Sequence, residues 1–181
     1  MPKKIKIGLS TSSIQSAINE IKRYKSDLQS KCELFVKELA QCGIQVAQTN
    51  VGSFGKYITF TVNIEQNTYG CKAIMIATNT GIIKSEWKTK DGVKSADISP
   101  LLMCEFGSGL KAENPKHIAG VGTGTFPNQT HAEDPNGWWY MDLQGKWHHS
   151  FGITPKMPMY KASLEITSNI IKTARTVFGG G

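Results

Sequence analysis

The chain has 181 residues, 39% of them hydrophobic, enough to build one core without disulfide or metal support. Its formal net charge of +7 is carried by lysines, with Arg23 and Arg175 the only arginines. Scattered lysines attract phosphate diffusely and argue against sequence-specific DNA reading, which leans on arginine forks. No apolar run approaches the ~20 residues of a membrane span, no apolar leader opens the chain, and Cys32, Cys42, Cys71 and Cys104 lack C-x-x-C spacing. The expectation is a single domain over 1–181, made in a cytoplasm, with no membrane role and with its cysteines reduced, buried and acting as small hydrophobes.

Lys3, Lys4 and Lys6 read as a solvated end. From Ser12 to about Cys42, Ile14, Ala17, Ile18, Ile21, Tyr24, Leu28, Cys32, Phe35, Val36 and Leu39 recur at spacings of three and four, which predicts a long amphipathic helix with a serine or threonine cap and Gly43 as its stop. A helix of about 30 residues, roughly 45 Å long, exceeds what a domain of this size needs to cover its core, so part of it is expected to meet a neighbour. Tyr57 to Glu65 alternates strictly, with Ile58, Phe60, Val62 and Ile64 on one face, and pairs with Cys71 to Ala77 as a hairpin. Ile82 to Lys88 adds a third strand. Lys88 to Asp97 reads as a polar loop tipped by Asp91-Gly92, and Leu101 to Phe106 as either a helical turn or a strand.

Residues 107–137 are rich in Gly, Pro, Asn and Thr, with Leu110, Ile118, Val121 and Phe126 as the sizeable apolar groups. Ordering backbone costs about 1–2 kcal/mol per residue. Four side chains worth about 1.5–3 kcal/mol each do not offset that over such a length. The segment is therefore expected to be an assembly arm that orders against a partner, with a long loop held by hydrogen bonds within its own domain as the alternative. Beyond it, Gly137 to Leu143 and Lys146 to Phe151 read as an aromatic hairpin, and Pro155 and Pro158 introduce a helix running to Phe178. The predicted class is α+β: a long N-terminal helix and a C-terminal helix packed on an antiparallel or mixed β-sheet, with a long Gly/Pro-rich loop.

No constellation for catalysis emerges. His131, Glu133, Asp134, His148 and His149 lie close in sequence, but without tight ligand spacing, and adjacent strand histidines point to opposite faces. Gly120 to Gly124 joins no strand to a helix and lacks a following G-K-S/T, so it is not a phosphate loop. No serine or cysteine sits in a nucleophile elbow. The expectation is no enzyme, no cofactor and no metal. The cluster of Trp138, Trp139, Tyr140 and Trp147 reads as a hairpin with one face on the core and the other toward a partner subunit, with a stacking platform for single-stranded nucleic acid as its alternative; for the chain as a whole, a metal-dependent hydrolase built on the histidine and carboxylate group is the second alternative.

The order of these motifs carries a resemblance. The first helix with Phe35 to Ala40 followed by Gly43-Ile44, the Met103-Cys104-Glu105-Phe106-Gly107-Ser108-Gly109 turn, Gly137-Trp138-Trp139-Tyr140, and His149 to Pro155 with Met157-Pro158-Met159-Tyr160-Lys161-Ala162 together resemble the siphophage neck proteins, the small tail-completion or head-tail joining family. The likeness spans nearly the whole chain, although many members differ over 107–137. It implies a structural virion protein of a tailed bacteriophage, made in the host bacterial cytoplasm. Identical copies would form a ring around the DNA channel, in contact with a connector or head-closure protein and with a tail terminator or tail tube, and touching packaged DNA only non-specifically. Glu105, Phe106, Phe126, Trp138, Trp139 and Trp147 are the expected assembly-interface residues.

Overall fold

In the computed structural model, which describes residues 7–67, 69–113 and 134–179, the first helix, α1, runs Thr11–Asn50, capped by the Ser10 side chain accepting from Ser13 N–H. It passes straight through Gly43, the expected stop. Ala40, Gly43 and Ala47 are buried and form a small-residue face on which other elements close in. A Cβ on Gly43 would lie 2.6 Å from Ile166 Cδ1 and 3.3 Å from Met75 Sδ, so this glycine is a crossing point between helices. At 40 residues, α1 is roughly 60 Å long.

A 3₁₀ helix over Gly52–Tyr57 leads into the hairpin β1 (Ile58–Asn67) and β2 (Gly70–Asn79), paired antiparallel from Ile58↔Asn79 to Asn67↔Gly70. The expected alternation holds: Ile58 and Phe60 are buried and Val62 and Ile64 half-buried, while Thr59, Thr61 and Asn63 are exposed. β3 (Ile83–Thr89) pairs with β4 (Gly92–Ile98), so the segment expected to be a polar loop is mostly strand, with Lys90 and Asp91 as its turn. Nearly all of β4 is exposed, and with water on both faces its sequence carries no alternation to betray it.

Asn79 ties this region to the next helix, donating to Ser99 Oγ at 2.7 Å and accepting from Leu101 N–H at 2.8 Å. Ser99 in turn caps α2 (Pro100–Phe106), which resolves the choice between turn and strand in favour of helix. β5 (Trp138–Met141) and β6 (Trp147–Ser150) form the aromatic hairpin, and β5 joins β3 at Lys88↔Met141. The final helix, α3, is Pro158–Phe178.

The architecture is α+β, with the strands in two antiparallel sheets, β1-β2 and β4-β3-β5-β6. The β1-β2 hairpin and α3 both pack on α1. Lys161 Nζ donating to Asn50, the Ile166–Gly43 approach and the Phe35–Phe178 ring pair at 5.7 Å show that α3 runs antiparallel to the C-terminal part of α1. The core gathers where these elements meet α2: Ala47, Val51, Ile58, Phe60, Cys104 and Ala162, with Phe54, Met75, Leu101 and Met159 around them. Ala47, Cys104 and Ala162 have no exposed surface, since only small side chains fit where three helices converge. Of the cysteines expected to be buried, Cys104 is; Cys32, Cys42 and Cys71 are half-buried and all four are free thiols.

Candidate assembly surfaces

The Glu105-Phe106-Gly107 turn is the fold's junction. Gly107 has φ +70°, and a Cβ there would lie 2.3 Å from Ile153 O. Ser108 N–H donates to Ile153 O and Ile153 N–H to Ser108 O, which binds this turn to the segment after β6. The Cys104 carbonyl accepts from Lys156 N–H and Met157 N–H, bringing the start of α3 onto the end of α2. Met157 is left-handed at φ 54° and gives α3 no side-chain cap. Glu105 supplies one instead: its two carboxylate oxygens accept from Met159 N–H and Tyr160 N–H, both at 2.8 Å. A carboxylate there satisfies helix N–H groups left without intrahelical partners and complements the helix dipole.

Glu105 and Phe106, expected at an assembly interface, are therefore buried within the subunit's own structure. Of the segment 107–137, residues 107–113 and 134–137 are described. Ser108 and Gly109 are buried and Gly109–Lys111 forms a 3₁₀ turn, so the opening of this segment belongs to the domain rather than to an arm. Phe126, Ile118, Val121, His131 and Glu133 lie outside the described residues, as does the remainder of the expected arm.

The aromatic hairpin divides its residues between two faces, as a strand must. Trp138 turns inward against Gly109, where an added Cβ would come within 2.6 Å of the indole. Trp139 and Trp147 turn outward, 64% and 58% exposed. Outside, the Trp139 and His149 rings stack at 4.5 Å, and His149 meets Phe151 edge-on at 4.6 Å. His149 Nε2–H donates to Asn136 O at 2.7 Å, which fixes the ring against the tryptophan. Tyr140 stacks on His148 at 5.2 Å, and His148 Nε2 meets the Asp142 carboxylate at 2.7 Å. The His148 hydrogen bond, then the Lys146 N–H, holds the Asp142 carboxyl below its ordinary range. The two histidines thus stabilise the hairpin, and among the described residues no three His, Cys, Asp or Glu side chains converge as a metal site.

A second apolar surface was legible in the first helix. α3 ends at Phe178 beside Phe35, and the β1-β2 tip reaches α1 at Gln29, where Gln66 accepts a hydrogen bond from the Gln29 side chain. Beyond that point Ile14, Ile18, Ile21, Tyr24 and Leu28 are exposed along α1, a stretch of roughly 21 Å. These residues continue the spacing that Phe35 and Leu39 occupy under cover. The aromatic sheet sits at the other end of α1. Val51, just past the helix, accepts from the Cys104 thiol of α2, and α2 leads directly to the turn that holds Trp138.

Compared with protein-family models, curated proteins and solved structures, the chain has no match. Its functional reading therefore rests on the sequence motifs and on these surfaces.

Proposed function

We propose that the chain is a structural subunit of a tailed-phage neck, a tail-completion or head-tail joining protein that acts as one copy in a ring around the DNA channel. The observation that carries the reading is the pair of dissimilar apolar surfaces at opposite ends of α1: an aliphatic stripe from Ile14 to Leu28 and an aromatic face of Trp139, Trp147 and Phe151. A closed ring uses a head-to-tail contact, in which every copy presents two different faces. Apolar patches of this kind, rimmed here by Lys22, Arg23 and Lys25 on α1 and Lys146 at the hairpin, are characteristic of protein-protein contact sites. The motif order gives the reading its family: Glu105 caps α3, Gly107 turns the chain, and the Trp138-Trp139 pair splits between an inward contact with Gly109 and the outer face, so each motif has a structural task.

The test is a nonsense allele in the phage that encodes the chain, examined by electron microscopy of lysates. The proposal expects filled heads and complete tails that fail to join, rescued by the wild-type protein in trans. Normal joined particles from the nonsense allele would refute it.

One observation favours a second reading, a single-strand nucleic-acid module. Met141 is the register partner of both Lys88 and Trp147, so a lysine shares the outer face with the exposed tryptophans. Stacking of a base on Trp139 or Trp147 would quench tryptophan fluorescence in a salt-sensitive way. An unchanged spectrum on titration with oligonucleotide would exclude it.

A further inference from the structure

The tip of the β1-β2 hairpin meets α1 at one turn of helix. Cys71, the second residue of β2, pairs with Gln66, so the two side chains share a face. Gln66 reaches α1 twice, accepting from Gln29 Nε2 at 3.3 Å and donating to Glu33. The Cys71 thiol donates to the Gln29 carbonyl oxygen at 3.8 Å. A helix carbonyl points toward the following turn, where residues three and four positions on stand. The Cys71 sulfur is therefore held at the level of Cys32 and Glu33. A cleft of about 120 Å³ lies between the two elements, lined by Leu28, Gln29 and Cys32 from the helix and Asn67, Gly70 and Cys71 from the hairpin. Neither cysteine is fully buried, so a small oxidant has access to both.

We propose that Cys32 and Cys71 are a thiol pair that closes to an intrachain disulfide when the protein meets a disulfide oxidant such as oxidised glutathione. One protein thiolate attacks the oxidant's S–S bond, forming a mixed disulfide and releasing one glutathione. The second protein thiolate then attacks the protein sulfur of that mixed disulfide, and the other glutathione leaves. Two electrons pass from the cysteines to the oxidant, and their two protons end on the two glutathione thiols. Burial, then Cys32, then Glu33 raise the Cys71 thiol above its ordinary value, so closure quickens as pH rises. The other two cysteines are engaged elsewhere: Cys104 is buried against Val51 O, and Cys42 faces Asn169 of α3.

The staple would sit next to the exposed positions Ile14, Ile18, Ile21, Tyr24 and Leu28 of α1. It would fix the hairpin to the base of the Ile14 to Leu28 stripe and so hold the direction in which that stripe projects. The chemistry does not depend on the neck reading and stands or falls separately. A phage particle released from a reducing cytoplasm into an oxidising medium would pass through the change that closes the pair.

The experiment incubates the reduced, folded full-length protein in glutathione redox buffer, then blocks free thiols and maps peptides without reduction. The proposal expects one cross-linked peptide joining Cys32 to Cys71, with Cys42 and Cys104 unlinked. The cross-link should be lost in Cys32→Ser and in Cys71→Ser and kept in Cys42→Ser, and melting should rise by roughly 5–10 °C on oxidation. Separate glutathione adducts on Cys32 and Cys71, free thiols at both, or linkage of either to Cys42 would overturn it. A melting temperature lowered by the Cys32–Cys71 bond would overturn it too, because the native geometry would then be unable to hold the staple.

Discussion

Replacing Glu105 with glutamine changes one atom at the junction of the fold, and its cost can be worked from the geometry. The carboxylate accepts from Met159 N–H and Tyr160 N–H, one bond to each oxygen. Glutamine keeps one acceptor and turns an NH₂ toward the other N–H, so one charged hydrogen bond is lost and a donor is left facing a donor. That loss is worth about 1.5–3 kcal/mol. Removing the negative charge from the start of the 21-residue α3 adds about 0.3–1 kcal/mol. The expected destabilisation is about 2–4 kcal/mol, a fall in melting temperature of roughly 4–16 °C for a chain of this size. Urea denaturation followed by circular dichroism measures it, with Glu113→Gln as an exposed control. A change below about 0.5 kcal/mol would refute the capping role. Normal stability with failed subunit association would return Glu105 to an assembly interface.

Other perturbations separate core from surface. Gly152→Ala places a Cβ 1.8 Å from Ser108 O at φ +103°, and should cost about 3–5 kcal/mol in chemical denaturation; a near-neutral effect would contradict the close approach. Ile21→Asp, on the exposed stripe, should leave denaturation within about 1 kcal/mol of wild type yet abolish head-tail joining in complementation, and full complementation would remove the stripe from the interface. Cys104 is pushed up to about 11 by burial and then by Glu105. Its folded state therefore favours the neutral thiol, and the associated stability is present below pH 9 and falls as pH rises toward 11. The loss is about 2 kcal/mol, measured by denaturation across that window, and it should shrink in Cys104→Ala; an equal alkaline loss in that variant would assign the effect to other groups. Trp139→Ala, which removes a mostly exposed indole and its stack on His149, should lower the melting temperature by only about 1–6 °C while weakening association.

Where one face of an element is wet and the other covered, the sequence carries the pattern. β1 was legible from its strict alternation, and the aromatic hairpin from the Gln144-Gly145 turn between two bulky runs. β4 was not, because both of its faces meet water and it is held on β3 mainly by antiparallel backbone pairing, with Thr89 Oγ1 donating to Gly92 O at the turn. The end of α1 was misread for a different reason. Gly43 looks like a stop in isolation, but the small residues Ala40, Gly43 and Ala47 form a face that only the approach of Ile166 and Met75 explains. The site was legible in the same uneven way. Alternation along one strand separates Trp139 from Trp138, whereas the role of Glu105 depends on a helix more than fifty residues away. The one local sign of it is negative: Met157-Pro158 opens α3 with no serine, threonine, aspartate or asparagine to cap it. The meeting of Cys32 with Cys71 likewise follows from how far the β1-β2 hairpin reaches along α1, which no local pattern records.

The claim that this chain is a neck subunit is tested most directly by cryo-electron microscopy of joined particles, focused on the region between head and tail. The account predicts a closed ring of copies of this chain around the DNA channel, with the Ile14 to Leu28 stripe and the Trp139–Trp147 face covered by neighbouring subunits or neck components. A reconstruction in which the chain is missing from the neck, or sits there with both surfaces open to solvent, would contradict it.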